Sequence, residues 1–424
     1  MLSLGIDFGT SGARGMVLDA AGKIVSQSSY RFLPDEVADA SVWRQILWKI
    51  LAAIAPQTRT HIARIAINGT SATVLVCNSA STPLSPPLLY NNAIARSVLP
   101  QIASVAPLGS PTLSATSSLA KALWWRHNLD YEVRSQVTHL LHQADWLASL
   151  LHAQPGISDY HNALKLGYDV RTLRYPDWLL DLPIADWLPA VRSPGDIIAP
   201  ILPQIAKRFG LPATCQVCAG TTDSIAAFLA SGAHQLGDAV TSLGSTLVLK
   251  LLSDRPIDDQ SFGIYSHRLG DLWLAGGASN TGGAVLRQFF TPQQLIDLSS
   301  QIDISQPCEL DYYPLTSVGE RFPVNDPDYA PRLTPRPDDD RAFLYGILDA
   351  IARIEAQGYE TLVRLGAPKL QQVYTAGGGA QNITWQALRQ RRLGVSVTAA
   401  RQTEAAYGSA QLAMKGLSDF MPKT

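Results

Sequence analysis

The sequence predicts an α/β protein made of two similar halves. A strand, a turn containing glycine and a second strand open the chain, and the same pattern returns near residue 235. Predicted amphipathic helices follow the strands in both halves. The length of 424 residues suits two large domains, which we place at 1–234 and 235–424.

Composition favours a soluble, cytoplasmic protein. Hydrophobic residues make up 46 % of the chain and charged residues 16 %, an ordinary globular mixture. Lys and Arg (34) nearly balance Asp and Glu (35), so no net charge attracts nucleic acid or an anionic membrane. Segment 1–7 lacks the basic start of a signal peptide, and no apolar run reaches the roughly 18 residues of a spanning helix. We expect no nucleic-acid or membrane partner.

Two local features have plain structural explanations. Cys215 and Cys218 form a CxxC pair, but they lie in an apolar stretch and no second pair accompanies them. Buried thiols explain them better than a metal or redox site. The basic cluster from Arg389 to Arg392 falls near a predicted helix C-terminus, where cations complement the helix dipole.

The first half has the order strand, strand, strand, helix, strand. The predicted strands are 2–7, 14–19, one ending near Tyr30, 62–68 and 73–77, with the helix at 40–54. This order is that of a ribonuclease-H-like core. Segment 78–115 is rich in Pro and Ser and predicts a long ordered excursion. Helices at 116–128 and 143–152, a buried strand at 215–219 and a helix at 222–231 complete this half.

The second half repeats the opening hairpin with strands at 239–243 and 247–252. A helix at 341–364 has a continuous apolar face, and a strand at 373–375 leads into three consecutive glycines. A helix at 383–391, a strand at 395–398 and a helix at 404–415 close the chain. The duplication predicts a ligand cleft between two domains, because ligands often bind at domain interfaces.

The first candidate site is the turn Asp7-Phe-Gly-Thr10-Ser11-Gly12. A carboxylate ends a strand, and small residues with free N–H groups and two hydroxyls follow. Such a turn can wrap phosphate oxygens while the Asp holds the Mg²⁺ that neutralises them. An ordinary hairpin with a capping Asp explains the same residues.

The second candidate is Asp223, which follows a buried strand and Gly220 and stands in the first turn of a helix. Either the helix dipole favours the carboxylate there, or the carboxylate is a general base that faces a substrate hydroxyl.

Two further glycine turns could contact a nucleotide. Gly244-Ser245-Thr246 joins the strands of the second hairpin, and Gly377-Gly378-Gly379-Ala-Gln-Asn382 lies between a strand and a helix. Without Cβ atoms, the backbone can approach a nucleotide closely at a helix N-terminus. The glycine run is neither a dinucleotide-binding GxGxxG nor a Walker A loop.

Taken together in this order, the four segments resemble the sugar kinase/Hsp70/actin superfamily. In that superfamily two ribonuclease-H-like, actin-type ATPase domains clamp ATP. Over nearly its whole length the chain resembles the FGGY carbohydrate kinases more narrowly. The supporting stretches are Gln143-Ala-Asp-Trp-Leu147, Ser158-Asp-Tyr-His-Asn-Ala163, Gly276-Gly-Ala-Ser-Asn-Thr-Gly-Gly283 and Gly319-Glu-Arg-Phe-Pro323 with Asp326-Pro327.

The resemblance implies ATP and Mg²⁺ as cofactors and a role for each matching residue. Asp223 would be the base for the sugar's terminal primary hydroxyl, while Asp7 orients the metal. The implied catalytic residues are Asp223, Asp7 and Thr10, and the implied metal ligands are Asp7 and Asp223. The residues implied to bind the sugar are Asp7, Ser11, Gly12, Ser71 and Asp223. Those implied to bind the nucleotide are Thr10, Gly244, Ser245, Thr246, Gly378, Gly379 and Asn382. His161 is either structural or a further sugar contact. The resemblance also implies that the partners are a small sugar and ATP, and that the chain is a monomer or a homodimer.

Two departures from the family pattern bear on the substrate. Asn68-Gly-Thr-Ser71-Ala-Thr73 replaces the Gln-Met-His-Gly segment usual in xylulose kinases, and Tyr90-Asn-Asn92 lacks the usual carboxylate. The first segment resembles a cyanobacterial and plant branch similar to D-ribulose kinases. D-Ribulose is therefore the expected substrate. D-Xylulose or another polyol is the alternative, and an ATPase switch that needs no sugar is a third.

Overall fold

The computed structural model describes residues 1–417. They form two compact units, Met1–Ala230 with the chain from Glu404 onward, and Ser231–Thr403. This division lies a few residues before the predicted boundary at 234/235. It also assigns the last helix to the first unit, whereas the sequence had suggested the second.

The first unit is built on a mixed sheet with the order β3-β2-β1-β4-β10-β9, and β11 also pairs with β4. β1 runs antiparallel to β2 and parallel to β4, which gives the predicted ribonuclease-H-like arrangement. The strands are β1 (Leu2–Phe8), β2 (Gly12–Leu18), β3 (Ile24–Arg31), β4 (Ile62–Gly69), β5 (Val74–Cys77), β6 (His139–His142), β7 (Ile157–Asp159), β8 (Ala190–Arg192), β9 (Ile197–Pro200), β10 (Gln216–Cys218) and β11 (Thr221–Thr222).

Helices cover this sheet because β1 and β4 are mostly apolar and are buried on both faces over most of their length. On α1, Trp43 packs edge-on against Trp146 of α6, with ring centroids 6.3 Å apart. The helices are α1 (Ala40–Ala53), α2 (Pro56–Arg59), α3 (Leu99–Ala103), α4 (Ser118–Asn128), α5 (Tyr131–Arg134), α6 (Gln143–His152), α7 (Tyr160–Ala163), α8 (Asp177–Leu180), α9 (Pro203–Phe209) and α10 (Asp223–Ser231).

The second unit repeats the mixed sheet with the order β14-β15-β13-β12-β16-β17. Its longest helix, α13, buries the apolar face that the sequence predicted, including Leu344, Ile347, Ile351, Ile354 and Leu362. The elements are β12 (Asp238–Leu243), β13 (Leu247–Ser253), β14 (Tyr265–Leu269), β15 (Leu272–Ser279), β16 (Gln372–Ala376), β17 (Ser396–Ala399), α11 (Gly283–Phe289), α12 (Pro292–Ser299), α13 (Asp340–Arg364) and α14 (Ile383–Leu393).

Helix α15 (Ala405–Lys415) packs on the sheet of the first unit. Glycines make the close approach possible. A Cβ on Gly5 would lie 2.0 Å from the Ala406 carbonyl oxygen, and one on Gly408 would lie 1.8 Å from that of Ala226. The Asn68 amide donates to Ser409 Oγ at 2.7 Å, which fixes the helix along β4.

The sequence did not predict β14 and β15 as strands, nor the short helices α11 and α12. Segment 78–115 is irregular apart from α3 and the 3-10 turn before it, consistent with the predicted excursion. The 3-10 turns lie at Ile94–Val98, Leu164–Leu166, Ala185–Trp187, Gln260–Phe262 and Gly378–Gln381. Within residues 1–417, no helix is long and apolar enough to cross a membrane.

Cys215 and Cys218 are fully buried, as predicted. Burial raises the pKa of Cys215 to about 12 and that of Cys218 to about 11. Both thiols are therefore protonated at neutral pH and unreactive.

The basic cluster of α14 has two separate roles. Arg391 and Arg392 occupy the last turn, as the dipole argument predicted. Arg389 is buried instead and forms a bidentate ion pair with Glu355 of α13, with N···O distances of 2.6 and 2.7 Å. Its third donor reaches Thr375 Oγ1 of β16 at 2.7 Å. One guanidinium therefore links two helices to the sheet.

We expect Glu355→Gln to destabilise the second unit by about 3–5 kcal/mol, because it leaves the Arg389 charge buried without its counter-charge. Urea unfolding measures the loss, and peptide-resolved hydrogen exchange assigns it to α13 and α14. The control is Arg341→Gln, which breaks an exposed pair with Asp339 and should cost less than about 1 kcal/mol. Equal losses in the two variants would contradict the importance of the buried pair.

Candidate active site

Parallel pairing brings the candidate residues of the first unit to one edge of its sheet. β1, β4 and β11 run in the same direction, and Asp7, Asn68 and Thr221 occupy one register row. Asp223 comes two residues after Thr221 and is the first residue of α10. Ligands of open α/β sheets bind beyond the carboxyl ends of parallel strands, which is where these side chains lie.

Asp7 and Asp223 lie close enough to influence each other's charge. Burial raises the pKa of Asp7 from its ordinary value of 3.8 to about 7, and the negative charge of Asp223 contributes next. Arg14, its register partner on β2, lowers the pKa, and Glu404 raises it slightly. Asp7 Oδ1 is buried and has no hydrogen-bond partner among the described residues.

These observations fit a cation beside Asp7. A buried carboxylate oxygen without a donor, next to a second carboxylate, is an arrangement that a bound cation would stabilise. Within residues 1–417, no group of three His, Cys, Asp or Glu side chains could enclose a metal ion. A metal held by Asp7 would therefore need ligands from elsewhere, such as phosphate oxygens or water.

The turn between β1 and β2 leaves its hydroxyls available. The Gly9 N–H donates to the Gly12 carbonyl at 2.9 Å, which closes the turn. Thr10 and Ser11 are exposed at its tip. A Cβ on Gly12 would lie 2.1 Å from the Tyr30 carbonyl oxygen, so the neighbouring strand requires glycine there. The hairpin predicted from the sequence is confirmed, and its two hydroxyls are free to meet a ligand.

The segment Thr70–Thr73, which we call the Ser71 turn, follows β4 at the same edge. The Thr73 N–H donates to the Thr70 carbonyl at 3.1 Å, and their hydroxyl oxygens are 2.5 Å apart. The Gln143 side chain accepts from the Thr70 N–H at 3.2 Å. The Ser71 side chain is half-buried. The turn is thus fixed from within and from α6.

His161 is built into the protein interior. It is buried, and its Nδ1 lies 2.7 Å from the hydroxyl of Thr221. Its N–H donates to the carboxylate of Asp159, which caps α7. Burial raises the pKa of Asp159, and the charge of Asp145 raises it further. These contacts support the structural explanation of His161, since the imidazole braces the strand that leads to Asp223.

In the second unit, β12 and β16 run parallel and end side by side, with Ser242 opposite Ala376. The turn at Gly244 follows one strand and the glycine run follows the other. Gly377 has φ +84°, and a Cβ there would lie 2.6 Å from the Leu243 carbonyl oxygen. Only glycine fits, so this residue brings the two turns together.

These turns form one wall of a pocket of about 750 Å³ that lies within the second unit. The volume is typical of sites for nucleotide-sized molecules. Of the predicted nucleotide residues, five line it: Gly244, Ser245, Gly378, Gly379 and Asn382. Thr246 does not line it, because it stands at the start of the outgoing strand, and Thr10 belongs to the first unit.

Apolar side chains also line the pocket. Two of them, Ile296 and Ile383, are 65 % and 80 % exposed. Leu286 and Trp385 lie deeper. A flat aromatic base suits such a surface, while the glycine turns offer N–H groups to phosphates.

The Asn382 side chain is already engaged in structural contacts. Its Oδ1 accepts from the Trp385 N–H and so caps α14, and its Nδ2 donates to Ser299 Oγ at 2.8 Å. Thr384 Oγ1 donates to the Ser299 carbonyl. Asn382 therefore shapes the pocket, with one amide hydrogen left for a ligand.

Sequence reasoning missed two residues that support the turn at Gly244 and Ser245. Arg287 of α11 lines the pocket and donates to Ser245 Oγ at 2.8 Å. The buried carboxylate of Glu320 accepts from Ser279 Oγ and from the Asn280 N–H, both at 2.6 Å. It thereby fixes the segment whose Gly283 N–H donates to the Gly244 carbonyl. Gly319-Glu-Arg321 stood out in the sequence, but nothing there indicated this contact.

Comparison with known proteins places the chain in a family. The N-terminal domain of the FGGY family of carbohydrate kinases matches residues 2–230, and the C-terminal domain matches residues 239–417. The chain belongs to this family and is a sugar kinase of the FGGY type.

Individual relatives are distant but extend over most of the chain. It is 23 % identical to the xylulose kinase of Escherichia coli (strain K12), covering 90 % of this chain and 83 % of that protein. It is 25 % identical to the L-fuculokinase of Salmonella typhi, covering 98 % and 92 %. The crystal structure of xylulose kinase from Rhodospirillum rubrum aligns with a TM-score of 0.82 at 18 % identity, covering 99 % and 92 %. The fold is that of the FGGY kinases.

The glycine run gives a matched pair of variants. A Cβ on Gly379 would lie 2.7 Å from Leu243 Cβ and from the Trp385 ring, whereas one on Gly378 meets no atom within 4 Å. We expect Gly379→Ala to destabilise the protein by about 1–3 kcal/mol through overpacking, and Gly378→Ala to leave stability nearly unchanged. Thermal unfolding with tryptophan fluorescence measures both. Equal melting temperatures for the two variants would contradict this packing of the run.

Proposed function

We propose that this sugar kinase transfers the γ-phosphoryl group of ATP to the terminal primary hydroxyl of a ketopentose, with D-ribulose as the preferred substrate. The observation that carries the proposal is the position of Asp223 beside Asp7 at the edge of the first sheet. Hydroxyl-bearing turns surround the same edge, as recognition of a polyhydroxylated substrate requires.

Asp223 acts as the general base. Its carboxylate accepts the proton of the attacking hydroxyl as that oxygen bonds to phosphorus and the bond to the leaving phosphate breaks. Its place in the first turn of α10 fixes the carboxylate at the end of a buried strand. Ser11, Gly12 and Ser71 orient the remaining sugar hydroxyls, since Ser11 is exposed and Ser71 is half-buried at this edge.

The second unit binds the nucleotide. The apolar lining residues hold the adenine, and the backbone N–H groups of Ser245, Gly378 and Gly379 contact the phosphates. The Gly244 N–H donates to the Thr246 carbonyl at 3.2 Å, so Gly244 and Thr246 give the turn its shape, and Thr10 donates to the γ-phosphate. Because the transition state for phosphoryl transfer is loose, most of the catalysis is positioning and charge stabilisation.

Mg²⁺ fits the residues around Asp7 and supplies charge neutralisation for the phosphates when bound. Asp7 would hold it, directly or through water, and Asp223 would add a second negative charge nearby. The buried Oδ1 of Asp7, which lacks a donor among residues 1–417, supports this assignment. Action in the cytoplasm, a monomeric or dimeric state and independence from nucleic acid and membranes remain predictions.

The choice of sugar depends on the Ser71 turn. Its small residues replace the bulkier segment of xylulose kinases and resemble a branch similar to D-ribulose kinases, which favours D-ribulose. D-Xylulose is the second candidate, because relatives that cover most of the chain carry the name xylulose kinase. Family membership disfavours an ATPase switch that needs no sugar.

We expect Asp223→Asn to reduce sugar-dependent ADP release by about 10²–10⁴-fold, the usual contribution of a general base. The affinity for ATP should stay within a few fold, because the pocket of the second unit is unchanged. A coupled ADP assay measures turnover, and calorimetry measures nucleotide binding. The exposed-surface control is Asp186→Asn, whose ion pair with Arg126 is long at 3.8 Å. Near-normal turnover in the Asp223 variant would refute its role as base.

We expect D-ribulose to stimulate ADP release more than D-xylulose, L-ribulose or glycerol. Ser71→Ala should reduce kcat/KM for D-ribulose about tenfold, since a lost hydrogen bond to a substrate hydroxyl costs on the order of 1.5 kcal/mol. KM for ATP should not change. Preference for D-xylulose would keep the mechanism and overturn the sugar assignment. ADP release that none of these four compounds stimulates would refute kinase activity on them.

A further inference from the structure

Lys121 is unusual because it is a lysine whose side chain is buried within the protein. It lies in α4 and its side chain is fully buried. Among residues 1–417, the charged neighbour that affects its amino group is Lys165, and its hydrogen-bond partners are backbone carbonyls. Burial, and then the charge of Lys165, lower the pKa of Lys121 from its ordinary value of 10.5 to about 7. A buried amine without a counter-charge is costly, so its contacts need an explanation.

Those contacts are two backbone carbonyls in the segments that depart from the family pattern. Lys121 Nζ donates to the Ala72 carbonyl at 2.8 Å and to the Leu89 carbonyl at 2.6 Å. Ala72 belongs to the Ser71 turn, and Leu89 directly precedes Tyr90. The Tyr90 N–H in turn donates to Thr73 Oγ1 at 2.9 Å. Lys121 therefore ties both segments to one helix.

The backbone of the Ser71 turn needs such support. Ala72 has φ +65° and is 1 % exposed. The Thr73 N–H closes the turn onto the Thr70 carbonyl, so Ala72 is the third residue of a four-residue turn with positive φ. Turns of this kind favour glycine at that position, because a Cβ crowds the backbone. The contact from Lys121 holds the carbonyl of the strained residue.

We infer that Lys121 is a positioning residue for sugar selection: its ammonium fixes the Ser71 turn and so sets how Ser71 is presented to the substrate. The inference rests on the proposed function, in which Ser71 contacts a sugar hydroxyl. The hydrogen bond from Lys121 to the turn goes to its backbone, at the Ala72 carbonyl. Its effect should therefore appear in sugar binding and sugar preference, and leave the nucleotide site unchanged.

Lys121→Met tests the inference because Met keeps the aliphatic length and removes the donors. We expect KM for the preferred sugar to rise on the order of tenfold or more, as misplacement of a binding group does. The preference between D-ribulose and D-xylulose should narrow, while KM for ATP stays within about twofold of the wild-type value. Calorimetry with sugar alone measures the same loss without turnover.

Two further variants separate positioning from general destabilisation. Leu123→Ala removes a buried side chain of the same helix that packs in the hydrophobic cluster, so it should lower the melting temperature without changing sugar preference. Ala72→Gly in the Lys121→Met background should restore part of the sugar affinity, because glycine adopts positive φ without strain. If Lys121→Met does not fold, Lys121→Leu also removes the donors and provides the same comparison.

Each outcome decides the question. Sugar KM and preference at wild-type values in a folded Lys121 variant would overturn the positioning role while leaving the kinase assignment intact. The same change in sugar preference for Leu123→Ala would also overturn it, since any damage to α4 would then suffice. Wild-type protein that responds to no sugar would refute the proposed function and this inference together.

Discussion

The candidate chemistry of the first unit depends on two carboxylates held near each other at the edge of one sheet. Parallel pairing of β1, β4 and β11 fixes this arrangement, because it aligns the strand ends and leaves Asp7 and Asp223 little freedom to separate. Burial and the charge of Asp223 both raise the pKa of Asp7. A cation bound between the two carboxylates would relieve this repulsion.

In the second unit, the arrangement depends on a close approach between the backbones of two turns. Gly377 and Gly379 let the ends of two parallel strands meet where side chains would collide with Leu243. The glycine turns and exposed isoleucines then line the same pocket. Buried polar contacts outside the pocket stabilise the segments that form it. Glu320 holds the segment against Gly244, and the Glu355–Arg389 pair joins two helices to β16.

The sequence predicted what depends on local pattern. The two hairpins, the apolar face of α13 and the cap-like position of Asp223 follow from periodicity and turn residues. Residues whose partners are far away in the chain could not be predicted. Arg389 looked like its exposed neighbours, because only the fold places Glu355 beside it. Likewise, nothing local indicates that α15 packs on β1 and α10, although Gly5 permits the first contact and Gly408 the second.

Lys121 represents a second limit of sequence reasoning. A lysine in a helix is normally assigned to the solvent face, so periodicity alone would place it away from any site. In the structure it lies under the Ser71 turn and holds backbone carbonyls instead of a carboxylate. A backbone anchor of this kind leaves the hydroxyl of Ser71 uncommitted while fixing where it stands. Discrimination between sugars that differ in the orientation of one hydroxyl requires that combination, because a mobile donor could follow either stereoisomer. If Ser71 contacts the sugar as proposed, rigidity beneath the turn contributes to selectivity together with that side chain.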